Sequence, residues 1–168
     1  FSSGLVYEPG KFADIDELAA LAAEMASGGG LYATHMRNEG TKLLDSVREA
    51  IEIGRRAGVP VQISHHKAAG REAWGLVRES LRLIEAAQAE GLDVHADQYP
   101  YTAGSTILAA IVQNGAFESG PNALGSIAPE DVVIASAAKR PDFEGRSIAA
   151  LAQDLGLSAR EAALRVLE

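Results

Sequence analysis

Three things are missing from this 168-residue chain: cysteine, a long apolar run and a basic stripe. Zero cysteines exclude disulfides and thiolate metal ligands within the chain, but they do not fix the compartment, which we expect to be the cytoplasm. The apolar run at 106–112 is among the longest and falls far short of the roughly 18–20 residues of a membrane-spanning helix. The net charge is −8 and no basic stripe is visible, so we do not expect nucleic acid as a partner, and the short apolar runs give no reason to expect a membrane.

The apolar content, 47% of all residues, is sufficient for a buried core. The chain begins at Phe1 without an initiator Met and ends inside a predicted apolar helix. We therefore expect residues 1–168 to form a single domain that is an internal fragment of a larger protein.

Segments with strand and helix patterns alternate along the chain. Short apolar runs predict strands at 31–35, 59–65, 92–96 and 131–137. Helical spacing of apolar residues predicts helices at 15–25, 41–57, 72–90, 148–155 and 159–167. The segment 102–129, rich in Gly, Ser, Asn and Pro, predicts a long loop with one short apolar piece.

This alternation predicts an α/β fold with a parallel sheet. An open doubly wound sheet that binds a nucleotide would favour a glycine fingerprint after its first strand, whereas Gly28-Gly29-Gly30 precedes a strand. Polar residues collect at the predicted strand C-termini, where the active sites of barrels lie. We therefore favour a partial TIM (β/α)8 barrel with about four parallel strand–helix units.

Two histidines stand at the carboxyl ends of predicted strands that are one strand–helix unit apart. They are His35, after Thr34, and His65, in Ser64-His65-His66-Lys67. Neighbouring parallel strands lie about 4.8 Å apart. If the odd-numbered residues of 31–35 and 61–65 both face inward, two imidazoles reach the barrel mouth and can bind one zinc ion. The alternative is that each is a hydrogen-bonded core histidine.

Other polar residues near these strand ends have two interpretations each. Lys67 returns to the His65 side and either binds a substrate carboxylate or is a solvated surface lysine. Tyr99 either donates its hydroxyl into the site or only packs. Arg37 and Glu39 are either site residues or an ion pair on the rim.

Two further histidines are not predicted to be metal ligands: His66 is either structural or supports a site residue from behind, and His95 is structural. His66 should face the helices, opposite to His65, because successive strand residues alternate. His95 should face inward below the barrel mouth as a packed interior residue.

Several segments of the chain resemble the D-aminoacylase family, the N-acyl-D-amino-acid deacylases of the amidohydrolase superfamily. The similar segments are GL at 4–5, YATHMRNEG at 32–40, VPVQISHHKAAG at 59–70, DQYPYTAGS at 97–105 and EGRS at 144–147. The resemblance implies a barrel with one or two Zn²⁺ ions that hydrolyses N-acyl-D-amino acids to a carboxylate and a free D-amino acid. It also implies that His35 and His65 are zinc ligands and that Lys67 and Tyr99 hold the substrate's α-carboxylate.

Parts of the family's pattern are absent from this chain. They are an early His-x-His pair, a cysteine ligand and the late aspartate that takes the proton from the attacking water. We therefore expect no catalytic residue in this chain and no activity of the isolated chain. Because a half barrel has open sheet edges and uncovered apolar faces, we also expect the isolated chain to be partly disordered or to self-associate. Between Tyr99 and Phe117 there is no Lys or Arg, which favours a substrate with a neutral or apolar D-side chain.

Two alternatives remain open at this point. One is another amidohydrolase that acts on cyclic amides, such as a dihydroorotase or hydantoinase relative, although Lys67 and Tyr99 as carboxylate holders argue against it. The other is a non-catalytic α/β module for binding or assembly.

Overall fold

In the computed structural model, which describes residues 1–118 and 122–168, four short strands form one parallel sheet. The strands are β1 (Ser2–Gly4), β2 (Tyr32–His35), β3 (Val61–Ile63) and β4 (Val94–Ala96). They lie in chain order, and each pairs with the next in parallel.

Three helices connect the strands, and three more follow β4. The connecting helices are α1 (Ile15–Ala23), α2 (Leu43–Ala57) and α3 (Leu76–Ala89), and the later ones are α4 (Leu108–Gln113), α5 (Ile148–Leu155) and α6 (Ala159–Leu167). Asp14 caps α1 by accepting a hydrogen bond from the Glu17 backbone N–H at 2.9 Å. Within the described ranges, no helix is long and apolar enough to cross a bilayer.

The connecting helices cover one face of the sheet. Their apolar residues form the main core together with the strand residues Tyr32, Val61, Ile63 and Val94. The other face carries Ala33, Gln62 and His95, which share one register and stay partly or fully exposed. Sequential strand order with helices on one face is the arrangement within a (β/α)8 barrel, whereas a doubly wound sheet reverses its order and carries helices on both faces. The predicted fold class is therefore confirmed.

The fourth predicted strand, 131–137, is wrong. Among the described residues, Val133 makes only an isolated antiparallel bridge with Ser147, and Ile134 packs beside α5 instead of joining the sheet. The sheet gains its remaining strand at the start of the chain instead, as β1. The Ser-Ser-Gly sequence of β1 has no apolar pattern, and the strand forms by pairing with β2. The predicted loop 102–129 contains α4, and its residues 119–121 lie outside the described residues.

A second, smaller hydrophobic cluster gathers α4, α5 and α6 around residues such as Phe143, Ile148 and Leu151. The Asn114 side-chain amide, just after α4, donates a hydrogen bond to the Val6 carbonyl at 2.9 Å, beside the main core. Whether residues 1–168 form a single domain stays a prediction.

Candidate metal centre

The His35 and His65 rings meet at the carboxyl ends of β2 and β3. Nδ1 of His35 lies within hydrogen-bonding distance of Nε2 of His65. The ring centroids are 4.6 Å apart, and the ring planes are tilted by 33°. The structure thus brings together the two rings that the strand-end positions predict to share one opening.

The backbone brings His65 to this position by a route that simple alternation does not predict. Val61 and Ile63 are buried against the helices, so a regular strand would also send the His65 side chain towards the helices. Instead, His65 adopts a left-handed conformation with φ of +42°, and its ring lies beside His35. The expectation that Val61 and Ile63 face inward is therefore wrong, whereas the expected position of His65 is right.

Asp97, at the end of β4, holds this turn in place. One carboxylate oxygen of Asp97 accepts the His65 backbone N–H at 2.7 Å, and the other accepts the Gln62 side-chain amide at 2.8 Å. A left-handed conformation costs a non-glycine residue about 1–2 kcal/mol. The hydrogen bond that the His65 N–H donates to Asp97 offsets that cost.

Glu39 lies between His65 and Lys67, and its side chain is only 5% exposed. Its Oε1 is 2.9 Å from His65 Nδ1, and its Oε2 is 2.6 Å from Lys67 Nζ. Burial would raise the pKa of Glu39, but the hydrogen bond from His65 and the charge of Lys67 outweigh it and lower that pKa. Glu39 therefore lies in the candidate site, while Arg37 turns away and pairs with Glu49 at 2.8 Å.

Tyr99 closes the cluster on the β4 side. Its ring centroid is 6.5 Å from that of His65, and Lys67 Nζ lies 5.5 Å from the Tyr99 centroid, within cation–π range. All four predicted site residues, including His35, therefore lie in one cluster.

The other two histidines lie apart from this cluster. His66 faces the helices, where its Nε2 is 2.8 Å from the Ser80 hydroxyl and burial lowers its pKa, as expected of a structural residue. His95 faces the open side of the sheet and pairs with Asp93 at 2.7 Å. This is the face predicted for an inward-facing residue; the side chain is 65% exposed in this chain, and its packing inside a complete barrel stays a prediction.

Neutral imidazole nitrogens that converge on one point are suitable ligands for zinc. Burial, followed by the proximity of His65, lowers the pKa of His35 and so favours the neutral form that binds a metal. In the two described ranges, no cluster of three or more His, Cys, Asp or Glu side chains could hold a metal. The pair therefore fits two positions of a zinc site, and further ligands would have to come from other residues.

No protein-family model matches the chain. It is 37% identical to N-acyl-D-glutamate deacylase from Alcaligenes xylosoxydans xylosoxydans over 166 residues, which cover 99% of this chain and 31% of that protein. It is 47% identical to D-aminoacylase from the same organism over 107 residues, 64% of this chain and 22% of that protein. The crystal structure of N-acyl-D-glutamate deacylase from Bordetella bronchiseptica, complexed with zinc and a phosphonate inhibitor, superposes on this chain with a TM-score of 0.84 at 32% identity. The superposition covers 99% of this chain and 32% of that one.

The chain belongs to the D-aminoacylase family. It spans about a third or less of the length of these relatives.

The sequence pattern did not predict one aromatic neighbour of His35, which is Tyr7. The Tyr7 ring lies edge-on to His35 at 6.4 Å between centroids, and its hydroxyl is 3.0 Å from that of Thr106. Tyr7 follows β1, so recognising that strand would have placed it at the same edge as His35. The roles of Glu39 and Asp97 depend on contacts between distant segments, which local patterns do not reveal.

Proposed function

We propose that this chain forms part of the active site of a zinc-dependent hydrolase in the cytoplasm. The enzyme cleaves the amide bond of N-acyl-D-amino acids and releases a carboxylate and a free D-amino acid. The observation that carries the proposal is the convergence of His35 Nδ1 and His65 Nε2 beside the Lys67–Glu39 pair. The Bordetella bronchiseptica relative supports it, because its inhibitor mimics the tetrahedral intermediate of the reaction.

His35 and His65 are the proposed zinc ligands. Zinc supplies a Lewis acid that activates water and polarises the amide carbonyl. One or two ions are compatible with the family, since a solved D-aminoacylase is described as having a binuclear metal centre. We place the general base outside this chain, because the late aspartate that takes the proton from the attacking water in this family has no counterpart in the segments that carry the resemblance.

Lys67 and Tyr99 are the proposed holders of the substrate's α-carboxylate. The Lys67 ammonium has three N–H donors. Glu39 Oε2 at 2.6 Å and the His65 carbonyl at 3.0 Å take two of them, which leaves one for a carboxylate. Tyr99 borders the same ammonium and completes that side of the site.

The proposed D-side chain is neutral or apolar. No Lys or Arg lies between Tyr99 and Phe117 to neutralise an acidic side chain, although one relative is an N-acyl-D-glutamate deacylase. A buried carboxylate without a cationic partner is unfavourable, so an acidic substrate would bind less well.

The decisive experiment measures zinc content and hydrolysis in the complete protein that carries this chain. We expect bound zinc, amine release from N-acetyl-D-methionine, and much lower rates with the L-enantiomer and with N-acetyl-D-glutamate. The isolated chain 1–168 should release no amine, because it lacks further ligands and a base. Preference for a cyclic amide would indicate a different amidohydrolase, and absence of both zinc and hydrolysis would indicate a binding module. Preference for N-acetyl-D-glutamate would refute the proposed side-chain specificity.

A further inference from the structure

We infer that Glu39 is a positioning residue on which both zinc affinity and substrate binding depend. Its carboxylate fixes the proton on Nδ1 of His65 and holds the ammonium of Lys67. The inference rests on the proposed roles of His65 and Lys67.

Two groups compete for Nδ1 of His65. Glu39 Oε1 lies 2.9 Å from this nitrogen, and Lys67 Nζ lies 3.0 Å from it. A protonated Nδ1 would donate to Glu39, whereas an unprotonated Nδ1 would accept from Lys67.

The other contacts decide between these two arrangements. Lys67 has two further acceptors, Glu39 Oε2 and the His65 carbonyl. Among the described residues, Glu39 Oε1 has no other hydrogen-bond partner, and leaving a buried charged acceptor unpaired is costly. On these grounds we assign the proton to Nδ1 of His65, which leaves on Nε2, the nitrogen that faces His35, the lone pair that a metal needs.

The backbone of Glu39 is fixed from both sides. Its N–H donates to the Ala123 carbonyl at 2.8 Å, and its carbonyl accepts the Ala69 N–H at 2.7 Å. Gly125, with φ of +85°, runs so close to the Ala69 loop that an added Cβ would lie 2.3 Å from the Ala69 oxygen. These contacts hold the carboxylate where it can serve His65 and Lys67 together.

Replacing Glu39 by Gln tests this arrangement because an amide offers one oxygen acceptor and one NH₂ donor. The oxygen would go to the charged Lys67, so the NH₂ would face His65 Nδ1. That contact favours the tautomer with its proton on Nε2, the nitrogen aimed at the zinc position. Loss of a residue that orients a metal ligand typically weakens metal affinity about 10- to 100-fold.

We would measure zinc affinity by chelator competition in the complete protein, together with KM for N-acetyl-D-methionine. Glu39→Gln should lose about 10- to 100-fold in zinc affinity and raise KM. The matched control is Glu49→Gln, since Glu49 is another ion-paired carboxylate, 14% exposed, whose partner is Arg37. The control should keep wild-type zinc affinity. Equal zinc affinities for wild type and Glu39→Gln would overturn the inference alone, whereas absence of zinc from the wild type would overturn the proposed function as well.

In case Glu39→Gln does not fold, a pair of double variants also removes the half-buried Lys67 ammonium, which would otherwise have lost its carboxylate partner. In Glu39→Gln/Lys67→Met, the amide oxygen is free to accept from His65 Nδ1, so zinc affinity should return to within about threefold of wild type. In Glu39→Leu/Lys67→Met, no acceptor remains, and zinc affinity should be about 10- to 100-fold weaker. Equal zinc affinities for the two double variants would also overturn the inference.

Discussion

Replacing Asp97 by Ala should release the left-handed turn that aims His65 at His35. The substitution removes the acceptor that lies 2.7 Å from the His65 backbone N–H. Without it, the left-handed conformation is disfavoured by about 1–2 kcal/mol relative to an extended one. Since every 1.4 kcal/mol corresponds to about a factor of ten, only about 3–15% of molecules would keep His65 in place. The apparent zinc affinity should fall by the same fraction, about 6- to 30-fold.

The assay is chelator competition with the complete protein and two comparison variants. Asp97→Asn keeps an oxygen acceptor for the His65 N–H and should stay within about threefold of wild type. Asp93→Ala removes a carboxylate that pairs with the exposed His95, and it should leave zinc affinity unchanged. If Asp97→Ala bound zinc as tightly as Asp93→Ala does, the backbone of His65 would not depend on Asp97 and the reasoning would be refuted.

Two further substitutions test the packing behind the site and the substrate contact in it. Gly54→Ala would gain about 1 kcal/mol in helix propensity, but the new Cβ would lie 2.1 Å from Cγ2 of the buried Val61. Overpacking of this kind costs about 1–3 kcal/mol, so thermal unfolding of Gly54→Ala should show a lower Tm. Adding Val61→Ala removes the clashing methyl group and should restore part of the Tm. A raised Tm for Gly54→Ala would contradict the α2–β3 packing. Lys67→Met should raise KM for N-acetyl-D-methionine about 10-fold or more, because a hydrogen bond to a charged group contributes about 1.5–3 kcal/mol. Lys42→Met removes an exposed lysine and should leave KM unchanged, and equal KM values for both variants would exclude Lys67 as the carboxylate holder.

The spacing of apolar residues along the sequence predicted the strands and helices whose apolar side chains pack into the main core. β2, β3 and β4 and the helices between them belong to this group. β1 was missed because Ser2-Ser3-Gly4 has no apolar alternation and becomes a strand only by pairing with β2. The run 131–137 has the composition of a strand, but Ile134 is buried by packing beside α5 rather than by strand pairing.

The candidate site shows the same division between local and distant causes. The strand-end positions of His35 and His65 are local features, and they predicted that the rings would meet. The turn that brings His65 there depends on Asp97, which comes from the next strand, and the proton on its ring depends on Glu39. Contacts of this kind follow from the packed sheet and its loops, and a hydrophobic pattern contains no information about them.

The two backbone hydrogen bonds that fix Glu39, to Ala123 and Ala69, also limit how this protein can be redesigned. The Ala123 carbonyl accepts a hydrogen bond from the Glu39 N–H, and Gly125 packs directly against the Ala69 backbone. This stretch therefore has no room for an extra residue. An insertion at 122–126 would therefore displace the carboxylate and, through it, His65. A redesign of this loop should therefore keep its length constant.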